Sequence, residues 1–171
     1  MSRRMWKTGF TLVELLIVVV ILGVLAAVAI PQFSSNTEDA KLSAIDTSLA
    51  EMRNAIELYY HQHNASYPGA KKHTDGTAVT STAQADTAFV NQLMLYSAAT
   101  GVTSTSKDAT YKYGPYLKKQ MPLNPYNDKR DVVCDITTTD ITSVTSTGTT
   151  GWKFYIKTGR VIANDGAHTD R

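Results

Sequence analysis

Gly9-Phe10-Thr11-Leu12-Val13-Glu14 opens a run of 21 residues, Phe10 to Ile30, in which Thr11 and Glu14 are the conspicuous polar side chains. Coiled as a helix at about 1.5 Å per residue, the run is about 32 Å long, close to the ~30 Å hydrocarbon core of a bilayer. The pattern predicts a membrane-spanning helix. An acid in such a helix costs about 2.5–3.5 kcal/mol at the bilayer centre and less near the interface, so Glu14 needs a partner.

Arg3, Arg4 and Lys7 precede the run, and by the positive-inside rule their charge holds the N-terminus in the cytoplasm. A cut between Gly9 and Phe10 removes all three cations and creates an α-amine at Phe10, four residues before Glu14. The amine can pair with its own Glu14 or, in a bundle of such helices, with the Glu14 of a neighbour. In the second arrangement the charges are neutralised only on assembly. Glu14 then acts as a register device for a polymer.

Residues Lys7-Thr8-Gly9-Phe10-Thr11-Leu12-Val13-Glu14-Leu15-Leu16, followed by Ile21-Leu22-Gly23-Val24-Leu25-Ala26-Ala27-Val28-Ala29-Ile30-Pro31, resemble the class III signal of type IV pilins and type II secretion pseudopilins. The resemblance implies that a prepilin peptidase cuts between Gly9 and Phe10 and methylates Phe10. It also implies that Glu14 is the assembly acid and that the mature subunits pack their helices into a filament core. The fold it implies is α+β and type IV pilin-like, with a long N-terminal helix packed on a small antiparallel sheet domain. Residues 1–9 are then a leader, 10–30 a transmembrane or filament-core helix, 31–65 its amphipathic continuation, and 66–171 a globular domain. The implied partners are further copies of the chain, related minor pilins, the prepilin peptidase, an assembly platform protein and its ATPase. The implied location is the bacterial inner membrane, N-terminus cytoplasmic, with the C-terminal domain periplasmic or in an extracytoplasmic filament.

Two other readings compete. An ordinary secretory signal would be cleaved after Ala27-Val28-Ala29, but its apolar region usually runs only about 7–15 residues and lacks an acid. A permanent single-span anchor leaves Glu14 without a role.

The chain carries 17 Lys plus Arg against 15 Asp plus Glu, and loss of residues 1–9 leaves 14 against 15. A nearly neutral mature chain argues against a nucleic-acid role resting on bulk charge. Cys134 is the single cysteine, so no intrachain disulfide can form. Within the resemblance this leans toward pseudopilins, since many major type IV pilins close a C-terminal loop with a disulfide.

Beyond Pro31, which can kink or locally unwind a helix, an amphipathic pattern resumes. Leu42, Ile45, Leu49, Met52, Ile56, Tyr59 and His63 form one stripe at spacings of three and four, with charged residues between them. The stripe predicts a face packed on a globular domain, a short heptad seam with another chain being the alternative. One helix is expected from Phe10 to His63, ending at Asn64-Ala65-Ser66-Tyr67-Pro68-Gly69. Residues 70–82 read as a loop without a core of its own. A short helix is expected from Thr82 to Thr100, stopped by Gly101. Pro122-Leu123-Asn124-Pro125 reads as a rigid surface loop.

Val132 to Ile136 predicts a strand, and the Ser- and Thr-rich stretch from Cys134 to Thr150 predicts exposed strands or a loop. Trp152 to Lys157, Thr158-Gly159 and Arg160 to Ala163 predict a hairpin with a two-residue turn, Trp152, Phe154 and Ile156 sharing one face. A small antiparallel sheet laid on the stripe would bury both apolar faces.

No phosphate loop, Gly-x-Ser-x-Gly or Cys-x-x-Cys is present, and the expected role is structural, not enzymatic. His61 and His63 are two apart and would point to different sides of a helix, against a shared metal. Cys134 has no flanking cation or His and reads as an inert thiol. No cofactor is expected save one the resemblance implies, a structural Ca²⁺ in the C-terminal sheet loops. Asp128, Asp131 and Asp165 are its candidate ligands, with Asn164 and Asp170 nearby, though their spacing departs from the family's and Asn164-Asp165-Gly166 is also an ordinary turn. Within the resemblance, the Tyr67-Pro68 ending, the Tyr116-Leu117 and Pro-x-x-Pro segments and the lone cysteine favour a major pseudopilin of type II secretion. A type IV pilus pilin for adhesion, twitching or DNA uptake is the alternative.

Overall fold

The computed structural model describes residues 9–118, 120–140, 142 and 144–169, with the backbone alone for 28–35. Arg3, Arg4, Lys7 and Asp170 therefore lie outside the described residues. The chain forms two compact units, Met1–Ala40 and Lys41–Arg171. Its elements are α1 (Leu12–Gln62), α2 (Thr82–Met94), β1 (Tyr96–Ser97), β2 (Thr103–Ser104), β3 (Val132–Asp135), β4 (Trp152–Tyr155) and β5 (Arg160–Ala163). The α+β, pilin-like class read from the sequence is the class observed. The helical backbone of α1 is unbroken at Pro31, so the missing N–H does not end it there.

In the second unit the apolar stripe is a core face. Ile45, Leu49, Met52, Ile56 and Tyr59 are buried in one cluster with Phe89 and Leu93 of α2 and with Trp152, Phe154 and Val161 of the sheet. Asp46, Glu51, Arg53 and Glu57, between them, stay exposed. That is the packing face, not a seam with a second chain. The helix stops where Asn64 and Ala65 turn left-handed, at φ 55° and 56°, and Ala65 N–H returns to the Tyr60 carbonyl at 3.1 Å.

α2 is capped by Ser81, whose Oγ accepts from Gln84 N–H, while Gln84 Oε1 accepts from Thr80 N–H at 3.0 Å. It ends at Met94, six residues short of the expected Thr100. Leu95 is extended, and Ser97 exchanges two backbone hydrogen bonds with Tyr113, at 2.9 and 3.2 Å. Tyr96–Ser97 also pairs with Thr103–Ser104, so Gly101, at φ 92°, turns a β-ribbon and does not stop a helix. Residues 70–82 are also less loose than their composition suggests. Lys71 bridges Ala78, and Ala70 and Val79 pack against the core. Fully buried Gln92 ties three loops together, accepting from Gly69 N–H at 2.8 Å and donating to the Lys71 and Gly101 carbonyls.

The three-stranded sheet has the order β3-β4-β5. β4 and β5 are antiparallel, as expected, but β3 runs parallel to β4, Val132 beside Trp152 and Asp135 beside Tyr155. A parallel neighbour needs a crossover of a dozen residues or more, and the Ser- and Thr-rich stretch supplies it. The β4–β5 turn is four residues long, not two: Tyr155 pairs with Arg160, and Gly159 N–H donates to the Tyr155 carbonyl at 2.8 Å. Gly159 has φ 73°, and a Cβ there would enter the Tyr67 ring. Trp152 and Phe154 are completely buried and Ile156 nearly so, as their shared face required.

Candidate processing and assembly segment

Gly9, Phe10 and Thr11 precede the first helical turn, and Phe10 is 87 % exposed. Thr11 N–H and Thr11 Oγ–H both donate to Glu14 Oε2 at 2.8 Å, and Glu14 N–H returns to Thr11 Oγ at 3.2 Å. This reciprocal pair is a capping box, in which Thr satisfies an orphan amide of the first turn and Glu reaches back to the cap. Beyond its role as a charge awaiting an amine, Glu14 thus closes the helix N-terminus. Thr11-Leu12-Val13-Glu14 was the overlooked signal, since Thr-x-x-Glu before an apolar run has that second meaning.

From Leu12 to Leu25 the large apolar side chains are at least half exposed, on every side of the helix. A helix apolar all round is suited to a membrane or to the core of an assembly. Among the described residues no helix is long and apolar enough to cross a membrane.

The two histidines part as the helical spacing required. His61 is in solvent, 4.0 Å from Glu57, whereas His63 is buried, stacked on Tyr59 with centroids 3.7 Å apart. His63 Nδ1 lies 2.8 Å from the Tyr59 carbonyl and Nε2 3.0 Å from Ser97 Oγ. Burial holds the His63 imidazole below its ordinary range, with nearby Lys71 acting in the same direction. A depressed histidine is neutral in both states at high pH, and below the ordinary value the unfolded chain binds the proton first. Stability is therefore expected to fall as pH drops through the ordinary histidine value of 6.5 toward the lower native one. Urea unfolding between about pH 7.5 and pH 5.5 measures this, and His63→Phe should flatten the fall. An unchanged pH dependence in that variant would remove His63 as its source. Cys134 is buried, its thiol pushed up chiefly by desolvation and secondarily by Asp86, and its N–H donates to Asp86 Oδ1 at 2.6 Å. Burial and the raised thiol both disfavour the thiolate.

The candidate calcium ligands do not converge. Asp131 Oδ1 accepts from Gly151 N–H at 3.1 Å. Asp165 Oδ1 accepts from Ala167 and His168 N–H, and its Oδ2 lies 3.0 Å from His168 Nδ1. These bonds lower the Asp165 carboxyl despite its partial burial. Asp128 is exposed, in a left-handed turn conformation at φ 54°. Among the described residues no three His, Cys, Asp or Glu side chains meet. Ca²⁺ takes six to eight oxygens at about 2.3–2.6 Å. Two of the three candidate carboxylates thus already accept amide N–H groups of the chain, which a cation would have to displace.

Residues 7–30 match the family described as the prokaryotic N-terminal methylation motif. The chain is 38 % identical over 72 residues to the type II secretion system core protein G of Pseudomonas aeruginosa, covering 42 % of this chain and 49 % of that one. It is 28 % identical over 122 residues to the protein of the same name from Aeromonas hydrophila, covering 71 % and 69 %. It is 49 % identical over 51 residues to the type IV major fimbrial protein FimA of Dichelobacter nodosus, covering 30 % and 33 %. The chain thus spans about half the length of the Pseudomonas relative and about a third of the fimbrial one. No solved structure matches it. The resemblance to type IV pilins and type II secretion pseudopilins is borne out by these matches.

Proposed function

We propose that this chain is a structural subunit of a type IV filament, most like the pseudopilus subunit of type II secretion. It is made as a membrane precursor and polymerises through its N-terminal helix to drive export of folded proteins. A prepilin peptidase cuts between Gly9 and Phe10 and methylates Phe10. The observation that carries the reading is the match at residues 7–30, together with an exposed apolar helix that opens on the Thr11–Glu14 cap. Such a surface leaves water only by entering lipid or by packing against copies of itself.

Mechanistically, Thr11 holds the Glu14 carboxylate while the subunit stands alone in the membrane. On assembly a neighbour's Phe10 amine offers the stronger, charge-assisted partner. Lateral packing of apolar helices then holds the fibre and the C-terminal units coat it. The further partners are minor pilins, the platform protein and its ATPase. The pseudopilus is favoured because the Aeromonas match runs over 122 residues and so extends beyond the N-terminal segment. A surface pilus is the second reading, supported by the 49 % identity to the fimbrial protein over 51 residues.

Mass spectrometry of the mature chain from its native host is expected to find an N-terminal methylated Phe10. A start at Ile30 would instead mean ordinary signal cleavage and end the filament reading. Deletion that abolishes secretion and leaves surface fibres intact supports the pseudopilus; the opposite pattern supports the pilus.

A further inference from the structure

The C-terminal loops meet around Asn164, a fully buried asparagine whose side chain is saturated with hydrogen bonds. Its Oδ1 accepts from Thr147 N–H at 2.6 Å, and its Nδ2 donates to Thr150 Oγ at 2.6 Å and Thr147 Oγ at 3.2 Å. Asn164 N–H donates to the Gly151 carbonyl at 3.0 Å, and its own carbonyl accepts from Asn127 Nδ2 at 3.4 Å. Two more amides extend the network: Asn127 Nδ2 donates to the Thr150 carbonyl and buried Asn124 Nδ2 to the Gly151 carbonyl, each at 2.9 Å. Lys129 Nζ completes it on the Thr149 carbonyl at 2.6 Å.

Every oxygen named on this crossover already receives an N–H. A hard cation would compete with these donors for the same oxygens and would need anionic ligands, yet Asp131 Oδ1 already accepts from Gly151 N–H within the network and Asp165 Oδ1 from Ala167 and His168 N–H. Gly151 fits the same picture, because a Cβ there would collide with the Lys129 carbonyl, so the crossover is seated directly on the 124–131 turn. We infer that this asparagine–threonine network, centred on Asn164 and completed by the Lys129 ammonium, closes the C-terminal loops in place of a divalent cation. The fold is then indifferent to calcium. The inference concerns the second unit alone and stands whether the filament is a pseudopilus or a surface pilus.

Thermal unfolding of the full chain in detergent, followed by circular dichroism, tests it with excess EDTA and with millimolar CaCl₂. The wild type is expected to melt at the same temperature in both, and calorimetric titration with CaCl₂ to show no saturable binding. Asn164→Ala orphans the Thr147 amide and both hydroxyls, and should lower the melting temperature by about 5–10 °C, equally with EDTA and with CaCl₂. If that variant does not fold, Thr150→Val, which removes one hydroxyl partner, should give a smaller drop with the same indifference. A wild-type melting temperature raised by CaCl₂ and returned by EDTA would overturn the inference. So would an Asn164→Ala or Thr150→Val chain that melts like the wild type.

Discussion

Glu14→Ala is expected to abolish filament formation while membrane insertion and cleavage after Gly9 continue. Alanine makes the segment more apolar and removes only one half of a helix cap, a change of about 1 kcal/mol or less to the isolated helix. In the polymer the loss is larger. The amine of a neighbouring Phe10 would be left without its counter-charge in a low-dielectric core, and breaking such a pair from one side costs about 3–5 kcal/mol. At about 1.4 kcal/mol per tenfold, each association step weakens at least a hundredfold. Processing followed by gel mobility, together with the yield of sheared filaments, separates the two effects. Glu14→Gln sharpens the result, because the amide oxygen can keep both Thr11 hydrogen bonds but carries no charge. It too should fail to polymerise. Normal filaments from Glu14→Gln would show that the carboxylate matters as a cap and not as half of an ion pair.

The second large effect lies in the core. Trp152 is completely buried, at the head of β4, and its indole N–H donates to the Pro122 carbonyl at 2.9 Å. Trp152→Ala opens a cavity and orphans that carbonyl, for about 3–5 kcal/mol. Domains of this kind are stable by about 5–15 kcal/mol, so the loss is a large fraction of the whole. Urea unfolding monitored by circular dichroism should show the midpoint collapse with little change in slope. Trp152→Phe, which keeps most of the volume, should lose less than half as much. A Trp152→Ala midpoint close to the wild type would mean that the cluster around Phe89, Phe154 and Leu49 holds without it.

What could be read from the sequence follows from the range of the interactions involved. The amphipathic half of α1 was legible because a helix face is written at spacings of three and four. Ile45, Leu49, Met52, Ile56 and Tyr59 are buried where that spacing put them. The β4–β5 pairing was legible too, since alternation and a glycine-bearing turn are local. The end of α2 was not, because Ser97 pairs with Tyr113, and nothing near residue 97 announces a partner sixteen residues away. The parallel placement of β3 was hidden for the same reason: strand direction depends on where a crossover lands. Gln92 and Asn164 gave no local signal either, since a polar residue is recognised as an internal tie only when its several loop partners are known. The Thr11–Glu14 cap is written in the sequence as Thr-x-x-Glu but hidden, because an acid in an apolar run is equally explained by a charge partner.

The cap also bears on the proposed cut after Gly9. Because Thr11 caps the first turn of α1, the Gly9–Phe10 link lies in non-helical chain, and under the proposed processing a peptidase would reach it without unwinding the helix. Among the described residues nothing within 4 Å would obstruct a methyl group on Gly9. The described part of the subunit leaves room for alanine there. Under the proposed processing, a demand for the smallest side chain at that position would come from the enzyme's substrate groove.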